Sequence, residues 1–239
     1  MEIIDVQTLV QAQDCSWRLA LHETGSTPVK AMRDLYHDSA TRAIHFFYQQ
    51  LEIKSRVKIS DVVNHFATLW IPHIKDTEIQ NTGISRFNYI LTRLRKEVGD
   101  ISGFTNMGIS YILHEENVSI TTNVDVVFES KRGCRSKALV ITDHALLFGS
   151  SSRALILRAA HQDYSDVAPS IMEIIIVNPY TGVITRTKLG NIDKQLLKYI
   201  LTNLVTLVKA RLFIPRPNKS ICRICQYVND CSFKWIDTA

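Results

Sequence analysis

Val118-Ser119-Ile120-Thr121-Thr122-Asn123-Val124-Asp125-Val126-Val127-Phe128-Glu129 is the stretch whose reading decides the fold. Val118, Ile120, Thr122, Val124, Val126 and Phe128 alternate with Ser119, Thr121, Asn123, Asp125, Val127 and Glu129, which predicts a half-buried strand with Asp125 on its polar side. The basic run Lys131-Arg132-Gly133-Cys134-Arg135-Ser136-Lys137 follows, and then the apolar run Ala138 to Ile141, so the pair reads as a hairpin with a basic tip. Upstream, apolar residues recur at helical spacing. They predict helices over residues 28 to 52, with Asp38-Ser39 as a point where the element could divide, over Val62 to about His73 behind a Ser60-Asp61 cap, and over Ser85 to Val98. Downstream, Ser151 to about His161 reads as a helix, Ile171 to Asn178 as a strand, Pro179-Tyr180-Thr181-Gly182 as a turn and Thr185 to Leu189 as a short strand. Asp193 to Leu212 is a long amphipathic helix ended by Ile214-Pro215-Arg216-Pro217. Helices before and after a hairpin, with a further strand between, give an α/β class with a mixed central sheet.

The whole-chain figures agree. At 239 residues one domain is expected, and 46% hydrophobic with 21% charged residues excludes wholesale disorder, collagen and coiled coil. The apolar run Ile171–Val177, interrupted by Glu173, falls short of the roughly 18 residues that cross a bilayer. Met1-Glu2-Ile3-Ile4-Asp5 lacks the basic and apolar regions of a secretory signal, so a cytoplasmic protein without a membrane partner is expected. A net charge of +5 permits a polyanionic partner without requiring one.

Five cysteines in a cytoplasmic chain do not make a disulfide framework. Cys222-x2-Cys225-x5-Cys231 supplies three thiolates within reach of one soft metal centre, and a tetrahedral site or a cubane cluster needs a fourth ligand. Cys15, followed by Ser16-Trp17-Arg18-Leu19 and lying about 200 residues upstream, is the natural candidate, with Cys134 left as a free thiol. A four-cysteine zinc site and unligated core cysteines are the competing readings.

An N-terminal cysteine paired with Pro215-x-Pro217-x4-Cys222-x2-Cys225-x5-Cys231 resembles the iron–sulfur branch of the RecB-like PD-(D/E)XK nucleases, which includes the CRISPR-associated adaptation nuclease and the AddB helicase–nuclease subunit. The resemblance implies a restriction-endonuclease-like core, a helical insertion over residues 53–110, and a cysteine segment over residues 213–235 that closes onto Cys15 through a [4Fe–4S] cluster. Crosslinking a loop of about 200 residues is worth roughly 5 kcal/mol if the chain-entropy relation for disulfides carries over. It also implies a Mg²⁺ or Mn²⁺ site on the strands. His45, within Thr41-Arg42-Ala43-Ile44-His45, matches the family's helical histidine, Asp125 its first-strand aspartate and Asp143 its second carboxylate. The match is incomplete. The family's Asp/Glu-x-Lys would put lysine at Ala145, or in the other register His144 stands in its place. The Gln-x3-Tyr of the following helix is missing from Arg153-Ala154-Leu155-Ile156-Leu157. Glu129-Ser130-Lys131 spells Glu-x-Lys but follows Asp125 on one strand by only four residues.

Three functions follow. The first is a metal-dependent DNA nuclease using His45, Asp125, Asp143 and His144; the second is a catalytically degenerate relative that binds DNA or joins a DNA-processing or defence complex; the third is a protein scaffold without nucleic acid. Lys131, Arg132, Arg135 and Lys137, with Lys209, Arg211, Arg216 and Lys219, would supply phosphate contacts under the first two. The missing lysine and Gln-x3-Tyr favour the second.

Overall fold

A computed structural model of the chain describes residues 1–25, 32–53, 56–98, 101–130, 136–141, 146–147, 150–163, 171–188, 194–216, 222, 225, 227 and 229–233. In order they form β1 (Glu2–Asp5), α1 (Val6–Cys15), α2 (Trp17–Glu23), α3 (Met32–Ile53), α4 (Ile59–Trp70) and a 3-10 turn at Ile71–His73. Then come α5 (Thr77–Val98), β2 (Ile101–Leu113), β3 (Val118–Ser130), β4 (Ser136–Ile141), and the two-residue strands β5 (Leu146–Leu147) and β6 (Ser150–Ser151). Helix α6 (Ser152–Asp163), β7 (Ile171–Asn178), β8 (Val183–Lys188) and α7 (Lys194–Lys209) complete the described elements.

The fold is α/β with a mixed sheet of six strands. Strand β3 is its centre. β2 runs antiparallel along its length, while β1 pairs in parallel with Val118–Thr121 and β4 in antiparallel with Val126–Glu129, so these two share the other edge end to end. β7 then joins β4 in parallel and β8 closes the series antiparallel to β7. Two cores lie on opposite faces. One gathers Leu9 of α1, Ile156 of α6 and Leu201 of α7 against Val118, Ile120 and Val124; the other gathers Ile44 of α3, Phe66 of α4 and Phe87 of α5 against Val126, Phe128 and Ile141.

The strand expected over 118–129 is therefore present but buried on both faces, and its alternation hides a change of phase. Met107 pairs with Val124 but Thr105 with Val127, so β3 carries one extra residue at Asp125–Val126. That β-bulge sends Val124 and Val126, two apart in sequence, into opposite cores. Asp125 is buried rather than solvated on a polar face.

Other boundaries also differ from the sequence reading. Helix α3 is continuous, because Ser39 Oγ donates back to the carbonyl of Leu35 at 2.8 Å and lies 3.4 Å from that of Leu69, instead of breaking the helix. Helix α4 starts at Ile59 without a side-chain cap, so Ser60-Asp61 lies inside its first turn. Helix α5 begins at Thr77, where Asp76 Oδ1 accepts from the N–H groups of Glu78 and Ile79. The segment read as a helical insertion over 53–110 is helical only to Val98; Ile101–Leu113 is the long edge strand β2. The elements β1, α1 and α2 were not anticipated.

Gly83 interrupts the helical pattern of α5 for a packing reason. A Cβ at this position would lie 2.9 Å from Trp70 Cε2 and closer still to its Nε1, and Trp70 is buried among Tyr36 and Phe66. Gly83→Ala gains about 1 kcal/mol of helix propensity but overpacks the core at a cost of about 1–3 kcal/mol. Urea denaturation should show a net loss of stability of about 1 kcal/mol, where an exposed helical Gly→Ala would show a gain.

Candidate functional site

Two regions bring together side chains distant in sequence. In the first, the bulge of β3 turns the Asp125 carboxylate between the two helical layers. His45 Nε2 of α3 lies 3.2 Å from Asp125 Oδ1. Oδ2 accepts from the backbone N–H of Ile141 at 2.6 Å and from Arg153 Nη1 of α6 at 2.6 Å. Arg153 Nη1 also stands 3.4 Å from the Ile141 carbonyl. Burial alone raises the pKa of this carboxyl. The His45 hydrogen bond, the Arg153 charge and the Ile141 N–H outweigh it, and hold Asp125 ionised below its ordinary range.

His45 and Asp125, which the family resemblance pairs as metal ligands, meet here through a direct hydrogen bond. Arg153 is not among the sequence-based candidates, because nothing in Arg153-Ala154-Leu155-Ile156-Leu157 marks it as a partner of Asp125. Asp143, His144, Lys131, Arg132, Cys134, Arg135 and Lys219 lie outside the described residues. Lys137 belongs to β4 rather than the hairpin tip, and its ammonium pairs with Glu173 at 3.0 Å. Lys209 reaches Glu2 at 3.6 Å and donates to the Glu116 carbonyl at 3.1 Å, tying α7 to the sheet.

In the second region the chain ends converge. Ser16, just after α1, accepts at Oγ from the Ile214 N–H at 2.7 Å and stands 3.2 Å from the carbonyls of Leu212 and Ile214. The Arg216 N–H donates to Cys15 Sγ at 3.4 Å, and Arg216 Nη1 donates to the Gln13 carbonyl at 3.4 Å. The Trp17 ring meets Phe233 edge-on at 5.2 Å. Burial pushes the Cys231 thiol up and the Phe233 N–H opposes it, while negative charge on Cys225, Cys15 and Cys222 adds to the upward push. Cys15, Cys222 and Cys225 therefore each lie within electrostatic reach of Cys231. As it stands, however, no group of three or more His, Cys, Asp and Glu side chains among the described residues is arranged to hold a metal ion.

The two regions answer the requirement for a cation differently. Cys231 with Cys15, Cys222 and Cys225 in its reach makes a donor set whose chemistry suits a soft metal or cluster, because ionised sulfurs gathered together would repel and a cation would relieve that repulsion. Their arrangement among the described residues does not yet form such a site. The carboxylate centre does not fit Mg²⁺ or Mn²⁺ in the same way, because Arg153 already supplies the positive charge and occupies Oδ2.

Asp125→Asn should cost about 1.5–3 kcal/mol near neutral pH, the range for hydrogen bonds to a charged group. The folded pKa of Asp125 lies below its unfolded value of about 3.9, so its contribution is complete above that value and lost as pH falls through the lower folded one. Urea denaturation of both proteins should accordingly show the difference at pH 7 and a shrinking gap as pH falls below about 4.

No family model and no curated protein matches the chain. Among solved structures, the crystal structure of SSO0001 is similar over 99% of this chain and 89% of that chain, with 12% identity and a TM-score of 0.38. A likeness this low fixes neither the detailed fold nor a function. Among the described residues, no helix is long and apolar enough to cross a membrane.

Proposed function

We propose that the chain is a catalytically degenerate relative of the iron–sulfur RecB-like PD-(D/E)XK nucleases, serving as a DNA-binding or assembly subunit. One observation carries the reading: the carboxylate at the motif position is neutralised from within by Arg153. Hydrolysis by this family's chemistry needs carboxylate oxygens free for a divalent ion and a lysine near the attacking water. Here Oδ2 of Asp125 receives two donors at 2.6 Å and Oδ1 faces His45, so the centre reads as a structural ion pair. The pair retains the place of the active site and replaces its metal-binding task with one of holding α3 and α6 on the sheet.

The approach of Cys15, Cys222 and Cys225 to Cys231, together with the Arg216 N–H on Cys15 Sγ, supports the same ancestry. These residues would hold the cluster, which when bound supplies a crosslink between the chain ends. The chain's own part is the Ser16 clasp and the Arg216 N–H on Cys15, which keep the two ends registered.

Purified protein with Mg²⁺ or Mn²⁺ should leave single- and double-stranded DNA intact while binding DNA with an affinity that falls as salt rises. Cleavage that Asp125→Ala abolishes would overturn the degenerate reading, and no binding at low salt would overturn the nucleic-acid reading as a whole.

Anaerobic purification should give a brown protein with a broad visible absorption. Cys15→Ser should bleach it and lower stability by up to about 5 kcal/mol in thermal unfolding. A colourless, zinc-loaded preparation would instead assign the four thiolates to zinc.

A further inference from the structure

A cavity of about 210 Å³ opens where the start of α5 meets α3, the end of α4 and the β7–β8 turn. That is below the roughly 300–1,000 Å³ of pockets that enclose drug-sized ligands, so its occupant is a fragment of about one ring system. Tyr36, Trp70 and Tyr180 give it aromatic walls. The Arg86 guanidinium lies 5.8 Å from the Tyr36 ring centre and 5.1 Å from that of Tyr180, and its Nη1 donates to the Tyr180 carbonyl at 3.3 Å. Glu78 and Thr82, both exposed, precede Arg86 by two turns and one turn on the same helix face, and they place an acceptor and a hydroxyl on the rim.

The surface beyond the cavity is charged. Arg86, Tyr89, Arg93 and Lys96 follow one another at spacings of three and four along α5, so they share a stripe. Tyr89 is 58% exposed, and the Arg93 guanidinium sits 5.7 Å from its ring centre. Glu97, the carboxylate at the end of this face, is taken by Arg186. The stripe therefore presents cations interleaved with an aromatic face and leads into an aromatic cavity. Single-stranded nucleic acid is bound by that combination, with cations tracking phosphates and aromatic or guanidinium planes stacking bases.

We propose that α5 binds single-stranded nucleic acid, with one unstacked base in the cavity beside Tyr180 and Arg86, and the neighbouring phosphates on Arg93 and Lys96. Glu78 would accept from an exocyclic amine of the base and Thr82 would bond its edge. This extends the nucleic-acid reading above but uses none of the residues around Asp125 or the cysteines. A strand and a free nucleoside share the base chemistry, and the test separates them.

The full-length protein is titrated with fluorescein-labelled oligo-dC and oligo-rC, whose bases carry an exocyclic amine, with a duplex, with a strand carrying 2-aminopurine and with free 2-aminopurine riboside. Thr82→Trp fills the cavity from an exposed position and leaves the core aromatics in place. It should weaken single-strand binding about tenfold, remove the quenching of 2-aminopurine and leave duplex binding unchanged. Arg93→Gln with Lys96→Gln should weaken binding and reduce the slope of log affinity against log salt by about 1.4, as expected for two phosphate contacts on a single strand. Single-strand binding that neither variant alters would overturn this inference and leave the broader reading standing. Wild-type protein that binds no nucleic acid at low salt would overturn both. Quenching of the free riboside without strand binding would overturn the strand assignment in favour of a nucleoside pocket.

Discussion

The buried Asp125 carboxylate is the constraint around which the layers of this protein are organised. It is reached by His45 from α3 on one face of the sheet, by Arg153 from α6 on the other, and by the Ile141 N–H from the neighbouring strand. An ionised group so placed would be costly alone, since desolvation works against it. It is tolerated because the neighbouring strand and two helices all deliver hydrogen-bonding partners to it, and any displacement of one layer would leave charge unpaired. Hydrophobic burial drives the helices onto the sheet, but it is not directional. The carboxylate network fixes the register in which they sit.

The bulge in β3 makes that possible. A regular strand would send Val124 and Val126 to one side and Asp125 wholly to the other. The extra residue lets Asp125 stand between faces, and it places Val124 in one core and Val126 in the other. The same device explains why a chain with so regular an alternation forms a doubly covered sheet. Both helical layers receive apolar partners from a strand that looks one-sided on paper.

Much of the fold was legible. Strand β7 and the turn after it have the boundaries that the sequence suggests, with Asn178 Oδ1 accepting from the N–H groups of Tyr180 and Thr181 and Gly182 at φ +75°. His45 and Asp125, which the resemblance assigns to one metal site, lie together here as hydrogen-bonded neighbours 80 residues apart in sequence. What was hidden depends on tertiary contact. The start of α5 was obscured by Gly83, whose absent side chain makes sense only once Trp70 lies against it. Strand β1 is four residues long and acquires its identity by pairing with Val118–Thr121. Arg153 was illegible because a helical arginine next to Ser152 carries no signature until the sheet puts Asp125 within reach.

The Ser16 clasp has a bearing on the order of assembly. Hydrogen bonds between Ser16 and the Leu212–Ile214 stretch already gather the two ends, which lie about 200 residues apart in the chain. Two residues beyond that stretch the Arg216 N–H reaches Cys15 Sγ, so the start of the C-terminal segment lies against the first cysteine. Closing this long loop is thus the work of polypeptide folding. Under the proposed cluster reading, loss and reloading of the centre would then leave the two ends joined and the sheet intact.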